Sequence, residues 1–98
     1  DLIVSVCKIS LRLQYAHSLK YKRRLIMPIL ARVSARFNAS ISEIGENDVH
    51  SRSLIGFAIA TSDARTANML TDTILRFIEH SSPEVELLQI DREILTGF

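Results

Sequence analysis

Acidic residues are missing from the first part of this chain. Between Leu2 and Ser42 there are eight basic residues and no aspartate or glutamate, whereas from Glu43 to Phe98 ten acidic residues face only four arginines. The formal net charge of +1 hides this division. Because electrostatic potential acts locally, a nearly neutral protein with divided charge can still present a basic face to a phosphate-bearing partner.

Cysteine and long apolar runs are also scarce. The single cysteine, Cys7, cannot form an internal disulfide and has no second Cys or His at metal-ligand spacing, so we expect a buried core thiol. No uncharged stretch reaches the ~20 residues that a membrane-spanning helix needs, and the first residues lack the features of a signal peptide. We therefore expect a cytoplasmic protein with no membrane partner. Its length of 98 residues favours a single domain, 1–98.

Hydrophobic periodicity predicts four strands and two helices. Alternating apolar residues predict a strand over Leu2–Leu13, and apolar residues at helical spacing predict a first helix with Ser18 as its N-cap. The remaining elements follow from the same signals: a strand at Asn38–Ile44, a hairpin loop at Gly45–Ser51, a central strand at Leu54–Thr61, a helix capped by Ser62 or Asp63, and an edge strand at Val85–Leu95.

This β-α-β-β-α-β order is the signature of a ferredoxin-like α+β sandwich, a four-stranded antiparallel sheet with two helices on one face. We also expect the first and third strands to be adjacent and parallel, so that both helices begin at the same end of the sheet. Pro28 lies inside the first helix, where it removes a hydrogen bond and collides with the carbonyl of Arg24. We therefore expect a kink there, or a helix that begins again near Met27.

A His-Ser-Leu-Lys motif, His17–Lys20, opens the first helix and is followed by the basic run Lys22–Arg24. With these segments the chain resembles the YlxP-like family of small, largely uncharacterised bacterial proteins, and the similarity covers nearly the whole chain. The resemblance implies a ferredoxin-like fold but no established active site, and the family's genes commonly lie among those for translation and ribosome maturation. The chain differs from the family pattern at Tyr21, where a capping-box Glu is usual, at Pro28, and at His50, where an aromatic residue is common.

The basic residues around the start of the first helix form the candidate binding site. The free amides and the positive end of a helix attract phosphate, and Arg65 from the second helix is expected to reach the same place. The row Lys20, Arg24, Arg32 and Arg36, spaced by multiples of four, is suited to follow a nucleic-acid backbone. A solvated helix face that only keeps the protein soluble explains the charges at both places equally. The residues predicted to bind nucleic acid or an anion are Arg12, His17, Ser18, Lys20, Lys22, Arg23 and Arg24.

Other classes of function have weaker signals. Phe57 is the sole aromatic residue in the first and third strands, so a base-stacking sheet is not expected, and the three histidines lie in separate connections without metal-ligand spacing. We predict no catalytic residue, metal or cofactor. The expected function is non-enzymatic binding of RNA or a ribosomal particle. The alternative is a dimeric or small-anion-sensing module that associates through its open sheet face or edge, and an acylphosphatase-like hydrolase is a minor alternative because the loop Gln14–His17 has no glycine.

Overall fold

A computed structural model describes residues 1–98 as one four-stranded sheet and two helices. The strand order is β2-β3-β1-β4, and every neighbouring pair is antiparallel. The predicted ferredoxin-like fold, with a central third strand and a fourth strand at the edge, is confirmed. The elements are β1 (Ile3–Leu13), α1 (Leu19–Phe37), β2 (Ser40–Gly45), β3 (Arg52–Thr61), α2 (Ala64–Glu79) and β4 (Val85–Leu95).

The predicted direction of the third strand is wrong. β1 and β3 are antiparallel, with Ile3 opposite Thr61 and Arg12 opposite Arg52. The crossover through α1 makes β1 parallel to β2, and the hairpin then reverses β3. The two helices therefore begin at opposite ends of the sheet. As a result, Arg65 in the first turn of α2 does not reach the start of α1.

The hydrophobic core lies between the sheet and the helices. Ile9 and Leu13 of β1 are completely buried (both 0% exposed) because the odd-numbered residues of this strand face the helices. Val33 of α1 and Ile74 of α2 are equally inaccessible and complete the same cluster. Burying one such aliphatic side chain stabilises the folded state by about 1.5–3 kcal/mol.

Inside this core lies one hydrogen-bonded polar pair. Thr71 of α2 donates its hydroxyl hydrogen to the carbonyl of Ala67, 2.7 Å away. The Oγ atom of Ser5 in β1 lies 2.6 Å from the Thr71 hydroxyl oxygen. Since the single hydroxyl hydrogen of Thr71 is already used, Ser5 is the donor in this second bond. The pair joins α2 to the sheet without an unsatisfied polar atom.

α1 passes through Pro28 as one continuous helix, so the predicted new start near Met27 is wrong. Pro28 and Arg24 are both exposed, and water can therefore replace the hydrogen-bond donor that the Arg24 carbonyl loses. Asn38 ends the helix in the left-handed conformation (φ 51°), which asparagine adopts more readily than most residues. Because Asn38 serves as this cap, β2 begins at Ser40 and not at Asn38.

The second face of the sheet is left open by the chain. Val4, Val6 and Leu54 are half-buried there. Gly56 lies beneath Ile44, and a Cβ atom at Gly56 would come within 3.0 Å of the Ile44 side chain. This face is therefore mixed in character, with small and apolar residues at its centre and charged residues around them. No helix is both long and apolar enough to cross a membrane.

Candidate nucleic-acid interface

The start of α1 is capped by Ser18, as predicted. The Ser18 hydroxyl oxygen accepts a hydrogen bond from the amide of Tyr21 at 3.0 Å, and the Ser18 carbonyl accepts from the amide of Lys22 at 3.0 Å. The cap thus satisfies one of the orphan amides of the first turn within the protein. The amides of Leu19 and Lys20 are the donors that remain for a ligand at this helix end.

Lys22 does not lie on the basic surface. Its side chain is 2% exposed, and its ammonium nitrogen is 2.9 Å from a carboxylate oxygen of Glu43. The ammonium also donates to the backbone carbonyls of Glu46 at 2.8 Å, Val49 at 2.6 Å and Arg52 at 3.1 Å. An ammonium group has three hydrogens, all of which are used by these acceptors. Lys22 therefore organises the hairpin and is not free to bind phosphate.

The β2–β3 loop (Glu46–Ser51) is fastened to the segment before α1 at further points. The ring Nδ1 of His50 donates to the carbonyl of Ala16 at 2.8 Å, and the amide of Leu13 donates to the carbonyl of Ser51 at 2.8 Å. The Ser53 hydroxyl donates at 2.6 Å to the same carboxylate oxygen of Glu43 that Lys22 contacts, and the Asn47 side-chain amide donates to the other oxygen at 3.3 Å. Together with Lys22, these contacts hold the loop against the start of the helix.

Arg12 lies on the opposite face of the sheet from α1. Its neighbours Leu11 and Leu13 are buried against the helices, so the side chain of Arg12 points to the open face. There its guanidinium group forms an ion pair with Glu86 at 3.4 Å, with Arg12 45% exposed. Because the sheet stands between them, the structure does not bring Arg12 together with His17 and the other predicted site residues.

His17 and Tyr21 form the side of the helix start that faces β4. Their ring centroids are 5.0 Å apart, and the Tyr21 hydroxyl donates a short hydrogen bond to the carboxylate of Glu84. This bond raises the pKa of Tyr21 above its usual value. Glu84 also shares a shallow cavity of about 210 Å³ with Arg24. A phosphate that approached from this side would meet a carboxylate.

Three of the predicted residues, Lys20, Arg23 and Arg24, remain as exposed cations near the helix start. None of them lies in a salt bridge, unlike Arg12, Lys22 and Arg92. Lys20 and Arg24 are one turn apart and therefore neighbours on the helix surface. The helix itself contains no acidic residue. The predicted site is thus reduced to the solvent-facing side of α1.

A second basic cluster, which the sequence interpretation did not identify, lies between α1 and α2. Arg36 places its guanidinium carbon 5.4 Å and 5.6 Å from the ring centroids of Phe37 and Phe77, whose rings meet edge to face. Arg32 and Arg76 line the same cavity of about 550 Å³. We call this feature the α1–α2 groove (Arg32, Arg36, Phe37, Arg76, Phe77 and His80).

Helical phase is the signal that could have revealed the groove. The sequence interpretation placed Lys20 and Arg32 in one row, but twelve residues correspond to about three and a third helical turns. The row therefore rotates by about a third of a turn around the helix between these two positions. That rotation carries Arg32 and Arg36 from the solvent-facing side toward α2.

Cys7 is a core residue, as expected from its apolar neighbours. Burial raises the pKa of its thiol to about 11, although the nearby charge of Arg92 opposes this effect. The thiol is therefore protonated and a poor nucleophile at neutral pH. No group of three or more His, Cys, Asp or Glu side chains is arranged to hold a metal ion.

Solved structures similar to this chain include two designed proteins. The de novo designed protein Foldit4 is 20% identical, with full coverage of both chains and a TM-score of 0.58. The de novo designed protein LFR1 1 with ferredoxin fold is 16% identical, with 99% of this chain and 88% of the design covered and a TM-score of 0.55. At these identities the similarity concerns the fold alone.

Similarity in sequence identifies the family. The uncharacterized protein YlxP of Bacillus subtilis (strain 168) is 42% identical over 71 residues, which cover 72% of this chain and 76% of YlxP. Residues 4–92 match the family described as proteins of unknown function, DUF503. The match includes both helices and the greater part of all four strands. The chain therefore belongs to the DUF503 family of uncharacterised, YlxP-like proteins.

Proposed function

We propose that this protein is a non-enzymatic, cytoplasmic RNA-binding domain that contacts the phosphate backbone of RNA or of a ribosomal particle through the solvent-facing side of α1. Lys20, Arg23 and Arg24 supply the contacts near the helix start. His17 and the free amides of the first turn border them. Arg12 and Lys22 have no part in this interface because one lies beyond the sheet and the other is buried.

The observation that carries the proposal is the unpaired charge of α1. Five exposed basic residues lie on this helix, and none of them forms a salt bridge: Lys20, Arg23, Arg24, Arg32 and Arg36. Three of these, Lys20, Arg23 and Arg24, lie together near the helix start, and cations without carboxylate partners create a potential that attracts a polyanion and favours rapid association. Phosphate contacts of this kind supply affinity with little sequence preference.

Two further points favour RNA bound through its backbone. The resemblance to YlxP-like proteins, whose genes commonly lie among those for translation and ribosome maturation, selects RNA among the polyanions. Phe57 is buried in the core at 4% exposure, so the sheet does not present it for base stacking. Binding by charge on a helix requires no such aromatic platform.

The proposal can be tested by fluorescence anisotropy with a labelled ribosomal RNA fragment over a series of KCl concentrations. The test variant replaces Lys20, Arg23 and Arg24 with glutamine. The control variant makes the same change at Lys8 and Arg65, together with Arg52, and so removes the same charge elsewhere. We expect affinity that falls with salt, and a slope that is smaller by about two units in the test variant if three single-strand phosphate contacts are lost.

Two outcomes would contradict the proposal. One is the absence of RNA binding at low salt by the natural sequence. The other is an equal loss of affinity in the test and control variants, because this would show that total charge matters and the position of the charge on α1 does not.

The open sheet face supports a second candidate, a dimeric interaction module. Val4, Val6 and Leu54 are half-buried on that face, where a second copy of the chain could cover them. Size-exclusion chromatography with light scattering measures the mass directly. A mass equal to that of the monomer at high protein concentration would eliminate this candidate, and the result is independent of RNA binding.

A further inference from the structure

The α1–α2 groove lies outside the interface proposed above. It is formed by the C-terminal halves of the two helices, whereas Lys20, Arg23 and Arg24 lie in the first two turns of α1. Its cavity of about 550 Å³ has three arginines in its lining, and none of these arginines has a carboxylate partner. Glu79, the acid nearest to these arginines in sequence, does not line the cavity, and its carboxylate lies 3.6 Å from Nε2 of His80.

Arg36 is held in place before any ligand arrives. Its guanidinium group lies over the rings of both Phe37 and Phe77, at 5.4 Å and 5.6 Å from their centroids. Stacking of this kind restricts the long side chain and leaves the N–H groups at the guanidinium edge free to donate. A bidentate contact with a tetrahedral oxyanion then costs less conformational entropy than it would for a mobile arginine.

A second arginine is directed to the same place by α2. Arg76 donates weakly to the Thr73 hydroxyl, with 3.5 Å between the two heavy atoms, and both residues line the cavity. The third, Arg32, lies one turn before Arg36 on α1. Arginines from two separate elements thus converge on one concave surface.

Helix dipoles alone do not explain this convergence. A cation in the last turn of a helix is favourable, which accounts separately for Arg36 and for Arg76. It does not account for Arg32, nor for the presence of all three side chains in the lining of one cavity. Like charges one turn apart repel each other, and a third cation from α2 adds to this repulsion. A bound anion would relieve it.

We propose that the α1–α2 groove is a phosphate-binding site in which Arg36 is the bidentate ligand and Arg32 and Arg76 flank it. The phosphate group belongs either to a free phosphate compound or to an RNA strand that continues along α1. The chemistry recognised at the site is the same in both cases. This site would exist even if RNA did not bind the helix start.

The first arm of the test is a titration with pyrophosphate at low ionic strength, followed by ¹H–¹⁵N correlation spectra. We expect the largest shifts at Arg36, Thr73 and Arg76, including the arginine side-chain signals. Replacing Arg36 and Arg76 with glutamine should weaken pyrophosphate binding about tenfold or more, since two charge-assisted hydrogen-bonding groups are lost. Replacing Lys8 and Arg65 with glutamine removes the same charge outside the groove and should change the affinity less than about twofold.

The second arm uses the labelled RNA with the same variants and separates the two sources of phosphate. The groove variant is the protein with Arg36 and Arg76 replaced by glutamine. If it binds both probes more weakly, the site is assigned to RNA phosphate. If it binds only pyrophosphate more weakly, the site is assigned to a free phosphate compound. If the variant with Lys20, Arg23 and Arg24 replaced by glutamine binds RNA with normal affinity while the groove variant no longer binds pyrophosphate, the proposed function fails and the groove site stands.

The groove proposal is overturned if pyrophosphate causes no shifts at Arg36 and Arg76. It is also overturned if the groove variant binds pyrophosphate as tightly as the control does. The spectrum of each variant shows whether it is folded. Should the double variant unfold, Arg76→Gln compared with Arg65→Gln provides a matched single-charge comparison without disturbing the stacked Arg36.

Discussion

α1 and α2 each bury one polar side chain against the rest of the molecule, and the two side chains bond to different kinds of structure. Lys22 of α1 is an ammonium group surrounded by a carboxylate and the carbonyls of a loop. Thr71 of α2 is a neutral hydroxyl that bonds within its own helix and to Ser5 of the sheet. A charged group can organise several loop carbonyls at once, whereas a hydroxyl fixes only one contact across an interface. α1 is therefore tied to a loop and α2 to a strand.

The largest effect is expected from replacing Lys22 with methionine. This change leaves the partly buried Glu43 without its cation and removes the ammonium donor from the carbonyls of Glu46, Val49 and Arg52, which should lower the free energy of unfolding by about 3–5 kcal/mol. Urea denaturation followed by circular dichroism measures the loss. Lys20→Met is the matched control, since Lys20 is exposed and its loss should cost less than about 0.5 kcal/mol. Equal losses in the two variants would mean that Lys22 does not organise the loop.

A smaller loss is expected from Thr71→Val, which keeps the shape of the side chain and removes its hydroxyl. Ser5 would then keep a buried hydroxyl without a partner, at a cost of about 1–3 kcal/mol in the free energy of unfolding. Adding Ser5→Ala should recover part of the loss, because a pair removed on both sides leaves no unsatisfied group. The pair would not be a determinant of stability if the double variant were as unstable as the sum of the two single variants.

The smallest effect is expected in the pH dependence of stability, where the N-caps of the two helices, Ser18 and Asp63, differ. The amide and hydroxyl of Thr66 donate to the Asp63 carboxylate at 2.8 Å and 2.9 Å, and these bonds lower the pKa of Asp63. A lowered pKa stabilises the folded state above the unfolded value of about 3.9, and this stability is lost as the pH falls through the folded pKa. The Ser18 cap does not titrate in this range.

Urea midpoints measured between pH 6 and pH 2 test this difference. Asp63→Asn keeps a side chain that can cap the helix but cannot ionise, so the natural sequence should lose more stability than the variant on acidification. The other carboxylates are common to both proteins and cancel in the comparison. Parallel curves would show that the ionised form of Asp63 contributes nothing to the cap.

The order of elements and the α1 cap could be predicted because they follow from local rules. Ser18 precedes a periodic helical segment, and the alternation in β1 is regular. The predicted direction of β3 is wrong. The crossover through α1 makes β1 parallel to β2, and β3, which lies between them, is antiparallel to both.

The environment of Lys22 was harder to predict, although part of the signal was present. Lys22 precedes Ile26, Ile29 and Val33 by four, seven and eleven residues, and so belongs by helical spacing to the buried stripe. Its charge nevertheless favoured a surface position, because lysine is almost never buried without a partner. That partner is Glu43 with the β2–β3 loop, and only the tertiary structure brings these groups to the helix.

The site around Lys22 also has a consequence for the order of folding. The carbonyls bound by its ammonium group lie 24, 27 and 30 residues away in the chain, so these bonds can form only after α1 and the hairpin have docked. Contacts that close after the rate-limiting step affect the rate of unfolding more than the rate of folding. If the bonds of Lys22 form after that step, Lys22→Met should speed unfolding more than it slows folding.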